Sequence, residues 1–540
     1  MKTTSLRSVL LRLIIIILIF QPVCLGYKKH ILKKGRERGS TKELKCDDIA
    51  IIGAGIAGTY AAWRLRHQNK RISIYEYSDR VGGRLYTVKF PDIPDINVEL
   101  GGMRYLRRSH VLLHDTIIQL GLPIKRFGLG CGPSPDTTIY VRGVHLRFDE
   151  LGGNKTPYRL PPNEKKTVSQ LTWEVFSNYT DVLTTNVPET YKKFFVRDRS
   201  GVPMYKQSVE SIYHKYLSVE AQKYIRETTA FYSLLTEDSA SLAVQTAPPS
   251  TESEECLTVA TGFSSIPNEL LRQFLRVGKR HSIKYNHDLK AIRRRRDGYY
   301  NLFFEPTFSN SRNSRSKCKI KKCAKKVILA TNRLSLEKLD WQGLYQPLIR
   351  EYITKAVKDM PAAKLYFSYD SPWWRKSPVY SDYIKSDTPF RKTYDFGTSI
   401  LNSPKSVLQA MYADTSLSYW EELLNRANGN ETSGNGTELD QVIKKYMSDI
   451  YTIPINTIPR PTNAAWMVWK NYPYGGAWQT WRPGYILPIV ERAMTKPSVS
   501  DDVFVVSNAF NVRSFSYWSN GALQSVELAM PYFGLKRLEK

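Results

Sequence analysis

The hydrophobic residues form short apolar runs in some parts of the chain and helical spacings in others. Apolar runs predict strands at "DIAIIGAGIAG", "IKYNHDLKAI", "YYNLFFE", "KKVILAT" and "DVFVVSNAF". Residues 151–255 lack a strand rhythm and are expected to be mostly helical, as in "SVEAQKYIRETTAFYSLL". Residues 341–496 mix strands such as "SVLQAMYA" with helices such as "DQVIKKYMSDI". At 540 residues the chain is too long for one compact core, so we expect two or three domains.

The amino terminus has the pattern of a cleaved signal peptide. Basic residues precede the apolar block 13–20, and small residues follow at 24–26. The alternative is a membrane anchor, but the block is shorter than the roughly 20 residues that a spanning helix needs. We therefore expect a secreted, extracellular protein, with a signal peptide at 1–26 and a basic arm at 27–46. Four glycosylation sequons agree with export: Asn154, Asn178, Asn430 and Asn435.

Five cysteines follow the leader: Cys46, Cys131, Cys256, Cys318 and Cys323. In an oxidising compartment some of them should pair. Cys318 and Cys323 could close a local loop, and a Cys46–Cys256 bond is the weaker option. No histidine accompanies them at ligand spacing, so we expect no metal site.

The formal net charge of +29 is concentrated in a few clusters, which include "RRRR" at 293–296 and the lysine-rich run 311–326. Each cluster alone is expected to be a solvated surface. Together they favour attraction to anionic bacterial surfaces or glycans. Nucleic-acid binding is not expected, because no matching fold motif is present.

A glycine-rich turn follows the first predicted strand. Gly53, Gly55 and Gly58 form G-x-G-x-x-G at the start of a helix, with Ala57 inside the motif. The first glycine permits a tight turn, the second lets a pyrophosphate approach the backbone, and the third lets helix and strand pack closely. Glu76 ends the second strand, where an acid binds a ribose hydroxyl. This pattern predicts a dinucleotide site, and glutamate rather than arginine at that position argues against NADP.

The run "DRVGGRLYT" resembles the flavin amine oxidase family, in which the glycine fingerprint is followed by an R-x-G-G-R turn. Here that turn comprises Arg80, Gly82, Gly83 and Arg84. The resemblance continues in the family's order over roughly residues 47 to 535. It implies FAD as the cofactor, with the turn on the diphosphate and Leu289 against the adenine ring.

The same resemblance implies an α/β fold with a discontinuous FAD-binding Rossmann-like domain of the GR2 type. An α+β substrate-binding domain and a helical domain would be inserted into it. The expected ranges are 47–88, 256–340 and 497–540 for the FAD-binding domain, 89–150 and 341–496 for the substrate-binding domain, and 151–255 for the helical domain.

The run "ELGGMRYL" resembles the L-amino-acid oxidase branch of this family. The likeness implies that Gly102, Met103 and Arg104 lie at the cofactor, and that the Arg104 guanidinium binds the substrate carboxylate as a bidentate pair. The alternative is an ordinary surface arginine. Tyr412 in "VLQAMYAD" is expected to help Arg104 bind the substrate carboxylate. Lys364 in "AAKLYFSYD" is expected to hold a water beside flavin N5; without the resemblance it would be taken for a solvent-facing strand lysine.

The segment from residue 503 resembles the family's chain beneath the flavin ring, with Trp518 beside the reactive carbon of the substrate. Ser507 and Asn508 stand where the family has Gly-Glu, and Tyr517 stands where it has Gly. Asn508 is expected to hydrogen-bond the ribityl chain without supplying a carboxylate.

The resemblance therefore implies a secreted L-amino-acid oxidase that releases 2-oxo acid, ammonia and hydrogen peroxide, with small L-amino acids and O2 as partners. It most resembles secreted antibacterial and cytotoxic glycoproteins of molluscs, several of which favour basic amino acids. One alternative is a secreted amine or polyamine oxidase, against which Arg104 argues. Another is a weakly active, bacteria-binding agglutinin, suggested by Ser507-Asn508 and the basic clusters. The sequence leaves the oligomeric state open.

Overall fold

The computed structural model describes residues 45–130, 137–177, 192–229, 231, 238–246, 254–307, 319–426, 438–512 and 518–538. Several predicted features lie outside these residues: the signal peptide, the basic arm up to residue 44, Asn178, Asn430, Asn435, Cys131, Cys318 and Tyr517. Asn154 is described and lies in an exposed turn.

The described chain contains twenty-one strands, which are numbered in chain order. They are β1 Asp47–Ile52, β2 Ile72–Tyr75, β3 Thr87–Phe90, β4 Ile93–Glu99, β5 Tyr105–Leu106, β6 Ile124–Arg126, β7 Thr138–Val141, β8 Val144–Arg147, β9 Cys256–Val259, β10 His281–Lys284, β11 His287–Arg294, β12 Tyr300–Pro306, β13 Ile320–Leu329, β14 Val357–Met360, β15 Ala362–Tyr369, β16 Tyr383–Ser386, β17 Lys392–Thr398, β18 Ser406–Ala413, β19 Asn463–Trp469, β20 Trp478–Trp481 and β21 Val503–Val505.

Thirteen α-helices are described. They are α1 Ile56–Leu65, α2 Val111–Gln119, α3 Val168–Ser177, α4 Val209–Tyr216, α5 Val219–Thr228, α6 Ala240–Thr246, α7 Ser265–Val277, α8 Arg333–Lys338, α9 Pro347–Glu351, α10 Leu417–Arg426, α11 Glu438–Tyr451, α12 Leu487–Thr495 and α13 Ser519–Ala529.

The first large sheet joins strands from distant parts of the chain. Its order is β10-β2-β1-β13-β12-β11, and β21 also pairs with β13. The pairs among β10, β2, β1, β13 and β21 are parallel, whereas β11 and β12 add an antiparallel edge. Parallel strands covered on both faces are typical of an α/β fold. One apolar core packs α1, α7 and α13 against this sheet, and a second core covers its other face.

The second large sheet has the order β19-β15-β18-β17-β16-β7-β8. Its pairs are antiparallel except for β16 with β7. A core containing three tryptophans packs α10 and α11 against this sheet. A separate core joins β7 and β8 to helices α3 to α6. The fold class expected from the sequence is confirmed, while the exact division into domains stays a prediction.

Two predicted strands are shorter than the apolar pattern suggested. The run "IKYNHDLKAI" is divided between β10 and β11, because Asn286 has a positive φ of 60° that an extended strand does not adopt. The run "DVFVVSNAF" forms a strand only as far as Val505, and residues 508–510 form a 3₁₀ turn. The Ser507 hydroxyl accepts the N–H of Ala509 at the start of this turn.

Both proposed cysteine pairings are wrong. Cys46 is bonded to Cys323, 277 residues away in the sequence. The sheet explains this bond, because Asp47 of β1 pairs with Ala324 of β13 and thereby places the two preceding cysteines side by side. Cys256 also forms a disulfide. Sequence spacing favoured a local loop, whereas the parallel strand pairing determines which sulfurs meet.

Helix α13 is fastened to α1 by a buried carboxylate. Glu527 accepts hydrogen bonds from the Tyr60 hydroxyl at 2.7 Å and from the Arg64 Nε at 2.7 Å, and its second oxygen accepts the N–H of Leu538 at 2.8 Å. The Glu527 side chain is 1% exposed. Because α1 begins at the glycine turn, these hydrogen bonds of Glu527 fix the position of the helix that lines the site.

We predict that Glu527→Ala lowers the free energy of unfolding by about 3 kcal/mol, because it leaves the Arg64 guanidinium without its buried partner. Urea unfolding followed by circular dichroism measures the change. Arg272→Ala is the matched control, since it breaks an exposed pair with Glu269 on α7 and should leave stability unchanged. Equal losses of unfolding free energy in the two variants would show that Glu527 does not hold α13 against α1.

Candidate active site

The three glycines of the first turn meet different surroundings. Gly53 has φ +103°, and a Cβ there would lie 2.6 Å from the carbonyl oxygen of Ala330. A Cβ on Gly58 would collide with the carbonyl oxygen of Gly53. A Cβ on Gly55 would meet no protein atom within 4 Å. The protein itself therefore requires the first and third glycines, whereas the second keeps a space open for a ligand.

The two glycine turns of the sequence are joined to each other. The N–H of Gly82 donates to the carbonyl of Ala54 at 2.9 Å. Gly83 has φ +56°, and a Cβ there would lie 3.3 Å from the Cα of Gly55. The Arg80 guanidinium donates to the Gly83 carbonyl at 2.6 Å. Arg80 therefore braces the turn.

Glu76 follows β2 and points at the first glycine turn. One of its carboxylate oxygens accepts the N–H of Ala54 at 2.6 Å, and the other accepts the N–H and hydroxyl of Ser78 at 2.8 and 2.7 Å. The N–H of His287 donates to the Glu76 carbonyl at 2.8 Å, so β11 begins beside it. Leu289 lies on β11 and lines the same cavity.

A cavity of about 420 Å³ extends from the glycine turns to the second sheet. This volume lies within the range of small-molecule sites. Of the predicted site residues, Gly58 and Arg80 are not in its wall. The others line it: Gly53, Gly55, Ala57, Glu76, Gly83, Arg84, Gly102, Met103, Arg104, Leu289, Lys364, Tyr412, Asn508 and Trp518. The structure thus brings together residues that are more than 460 positions apart.

Arg84 lies partly buried in the cavity wall, and its hydrogen-bond partners among the described residues are neutral. Its guanidinium donates to the Ala477 carbonyl at 3.0 Å, to Gln479 Oε1 at 3.1 Å and to Asn508 Oδ1 at 2.6 Å. Burial lowers the pKa of Arg84 to about 10, and the Asp359 carboxylate opposes this shift. Arg84 remains charged at neutral pH, so a partly buried cation beside two glycine turns suits an anionic group such as a diphosphate.

Lys364 is buried on β15 rather than solvent-facing. Its Nζ donates to the carbonyls of Gly101 and Glu99 at 2.6 and 3.1 Å and lies 3.4 Å from the Met103 sulfur. Burial lowers the pKa of Lys364, as does the charge of Arg104, while Glu99 opposes the shift. Burial also raises the pKa of the Glu99 carboxyl. Both charged forms are therefore disfavoured in this part of the cavity.

The remaining predicted substrate residues line the same cavity as Lys364. The Arg104 guanidinium donates to the Leu129 carbonyl at 2.7 Å, and no carboxylate pairs with it within the described ranges. The Tyr412 ring lies 4.7 Å from the Lys364 Nζ. Trp518 is the N-cap of α13, and its ring lies 5.1 Å from that of His110.

Several aromatic and polar residues of the cavity wall were not predicted from the sequence. The Phe231 ring meets the rings of Tyr412 and Trp478 edge-on at 4.8 and 5.2 Å. Asn332, Trp469 and Tyr474 also line the cavity. Trp478 and Gln479 belong to β20, whose run "WQTW" shows a short β-prone signal that could have been found. Phe231 carries no pattern that sets it apart from a core residue.

The comparisons with known proteins agree with this architecture. The family described as "Flavin containing amine oxidoreductase" matches residues 56–525. The chain is 31% identical to Aplysianin-A from Aplysia kurodai over 511 residues, covering 91% of each chain. It is 30% identical to Achacin from Lissachatina fulica over 496 residues, covering 89% of this chain and 92% of Achacin. The chain belongs to the flavin-containing amine oxidoreductase family.

Solved structures show the same fold at low sequence identity. A putrescine oxidase bound to putrescine aligns with a TM-score of 0.64 and 14% identity, over 91% of this chain and 100% of its own. Cyclohexylamine oxidase from Brevibacterium oxydans IH-35A aligns with a TM-score of 0.63 and 16% identity, over 90% and 98%. The cofactor is a flavin, FAD, and the described cavity fits it: Gly55 leaves space at a helix N-terminus and Arg84 supplies a cation in the cavity wall.

We predict that Gly55→Ala weakens FAD binding at least tenfold (about 1.4 kcal/mol) without unfolding the protein. The added methyl meets no protein atom and would occupy ligand space. Flavin fluorescence released on dilution measures the affinity. Gly128→Ala is the control, because its Cβ also meets no atom and Gly128 is not in the cavity wall. Unchanged affinity in Gly55→Ala would remove Gly55 from the cofactor site.

The lowered pKa of Lys364 predicts a pH-dependent stability. Above the folded-state pKa the unfolded chain binds the proton more tightly, so Lys364 makes unfolding less favourable as the pH rises toward about 10.4. We expect the free energy of unfolding of the wild type to rise relative to that of Lys364→Met between pH 7 and pH 10. Urea unfolding at each pH measures both values. A difference independent of pH would show that Lys364 keeps an ordinary pKa.

Proposed function

We propose that this oxidoreductase, which acts on CH–NH2 groups, is an FAD-dependent L-amino-acid oxidase. The overall reaction is L-amino acid + O2 + H2O → 2-oxo acid + NH3 + H2O2. The observation that carries the proposal is Arg104, a guanidinium in the cavity wall without a carboxylate partner in the described chain. A substrate α-carboxylate would supply that partner.

Residues of the two glycine turns would hold the cofactor. The N–H groups at the start of α1 and the Arg84 guanidinium would bind the diphosphate, and Glu76 would bind a ribose hydroxyl. Asn508 would serve the ribityl chain and keep Arg84 in position through their 2.6 Å hydrogen bond. When bound, the flavin accepts the two electrons and hydrogen of the substrate Cα–H bond and passes them to O2.

The other cavity residues would orient the substrate. Arg104 and Tyr412 would fix the carboxylate, and Trp518 would confine the amine side, so that the Cα–H bond is held in one direction. Lys364 lies 4.7 Å from the Tyr412 ring and donates to two backbone carbonyls. Burial disfavours its charged form, so a neutral amine would be able to accept a hydrogen bond from a water in the cavity.

An amine oxidase is the second candidate, since the solved neighbours include putrescine oxidase and cyclohexylamine oxidase. A substrate without a carboxylate would leave the Arg104 guanidinium in the cavity without an anionic partner, which favours the amino-acid oxidase. The agglutinin alternative was suggested by Ser507-Asn508 and by the basic clusters. Asn508 Oδ1 accepts a hydrogen bond from Arg84 at 2.6 Å, so Asn508 is joined to the cation expected at the diphosphate.

We further propose that the protein is secreted and acts against bacteria through hydrogen peroxide. The leader pattern, the sequons and the charge of +29 support this role. The Cys46–Cys323 bond suits an oxidising compartment. Among the described helices, none is long and apolar enough to cross a membrane.

Replacing Arg104 by Ala should raise the KM for L-leucine about 100-fold (about 3 kcal/mol, as for hydrogen bonds to a charged group). Peroxide release measures the rate. The Kd of pentanoate, followed by the flavin absorption spectrum, should rise in parallel because this ligand offers only the carboxylate. Arg107→Ala is the control, since Arg107 is exposed and pairs with Glu255 at 3.4 Å.

Two outcomes would overturn the assignment. If Arg104→Ala left both the KM and the pentanoate Kd unchanged, Arg104 would not bind the carboxylate. If the wild-type protein produced peroxide from the decarboxylated analogue 3-methylbutylamine but not from L-leucine, the amine oxidase would replace the amino-acid oxidase.

A further inference from the structure

The chain between β19 and β20 lines the same cavity as the two glycine turns. Tyr472, Pro473 and Tyr474 form a turn in this segment, and all three are in the cavity wall. We call these three residues the cofactor strap. The strap leaves the second sheet at β19, and its hydrogen bonds join it to residues around the first sheet.

The first residue of the strap bridges two parts of the predicted cofactor site. The Tyr472 hydroxyl donates to a carboxylate oxygen of Asp288, and the Tyr472 ring meets the Tyr77 ring edge-on at 5.4 Å. Tyr77 follows Glu76, which is predicted to bind a ribose hydroxyl. Asp288 precedes Leu289, which is predicted to lie against the adenine ring. All five residues line the cavity, so Tyr472 crosses from the ribose side to the adenine side.

The bond between Tyr472 and Asp288 joins a protonated phenol to a shielded carboxylate. Asp288 is 9% exposed, and its second oxygen pairs with the Lys290 Nζ at 2.5 Å. Burial raises the pKa of Tyr472, and the hydrogen bond to Asp288 raises it further, so the hydroxyl remains a donor. Hydrogen bonds to an ionised acceptor are stronger than neutral ones. The exposed Lys338 lies over the Tyr472 ring at 4.7 Å and marks its outer side.

The other end of the strap is bonded close to the second glycine turn. The Arg80 guanidinium, which braces that turn, donates to the Tyr474 hydroxyl at 3.2 Å. The Asn332 side chain donates to the Tyr474 carbonyl, and the Ser335 hydroxyl donates to the Pro473 carbonyl at 3.0 Å. Asn332 is also the N-cap of α8. The strap is therefore held at both ends, from the turn expected at the diphosphate to the strand expected at the adenine.

We propose that the cofactor strap retains the adenosine half of FAD, and that the hydrogen bond between Tyr472 and Asp288 must break before the cofactor leaves. The inference concerns the cofactor alone and does not depend on which substrate is oxidised. Slow release would suit the proposed secretion, because flavin lost outside the cell is diluted and mass action then opposes its return.

The rate of FAD release tests the strap directly. Each protein is saturated with FAD and diluted into buffer without it, and the fluorescence of the free flavin is followed. We expect Tyr472→Phe to release FAD at least tenfold faster than the wild type, because phenylalanine keeps the ring but cannot donate to Asp288. Asp288→Ala should also accelerate release. Adding Tyr472→Phe to Asp288→Ala should then have no further effect, since both changes remove the same bond.

Tyr345→Phe is the matched control. The Tyr345 hydroxyl also donates to an aspartate, Asp340, at 3.1 Å, but neither residue is in the cavity wall. This variant should release FAD at the wild-type rate. An unchanged rate in Tyr472→Phe, equal acceleration in Tyr345→Phe, or independent effects in the double variant would overturn the strap. The measurement uses no amino acid, so its failure would leave the proposed oxidase function intact.

Discussion

The close approach of α1 to the first sheet is the constraint on which the site depends. Gly58 lets the helix pack against the turn at Gly53, and Gly53 in turn lies against the backbone of Ala330 in the segment after β13. A side chain at either position would force α1 away from the strand ends. The second glycine turn is bonded to the first through Gly82, so it would move as well. Cofactor geometry is thus set by van der Waals contact between backbones.

Uncompensated positive charge is the second organising feature of the cavity. The partly buried Arg84 donates to neutral oxygens, and Arg104 donates to a backbone carbonyl. Keeping such groups in a cavity is unfavourable unless anions arrive to pair with them. The cofactor diphosphate is an anion of the required kind, and so is the carboxylate of the proposed substrate. Empty and liganded forms should therefore differ more in electrostatic energy than in shape.

The sequence predicted the local parts of this molecule better than the long-range ones. The glycine turn and Glu76 could be located because their roles are set by neighbouring residues. Arg104, Lys364 and Tyr412 were predicted only through family resemblance, since no local pattern distinguishes them from surface or core residues. The Cys46–Cys323 bond and the wall residues Phe231 and Trp478 depend on which strands and loops become neighbours, and spacing along the chain does not encode that.

The wide separation of paired strands has a consequence for biosynthesis. Strand β1 ends at residue 52, but β13 follows at 320 and its neighbour β21 only at 503. The ribosome adds roughly 5–20 residues per second. The last partner strand of this sheet is therefore synthesised on the order of tens of seconds after β1. Helix α13, which closes the cavity, begins at Ser519. The flavin can therefore be enclosed only when translation is nearly complete, and a nascent chain must be kept from aggregating until then.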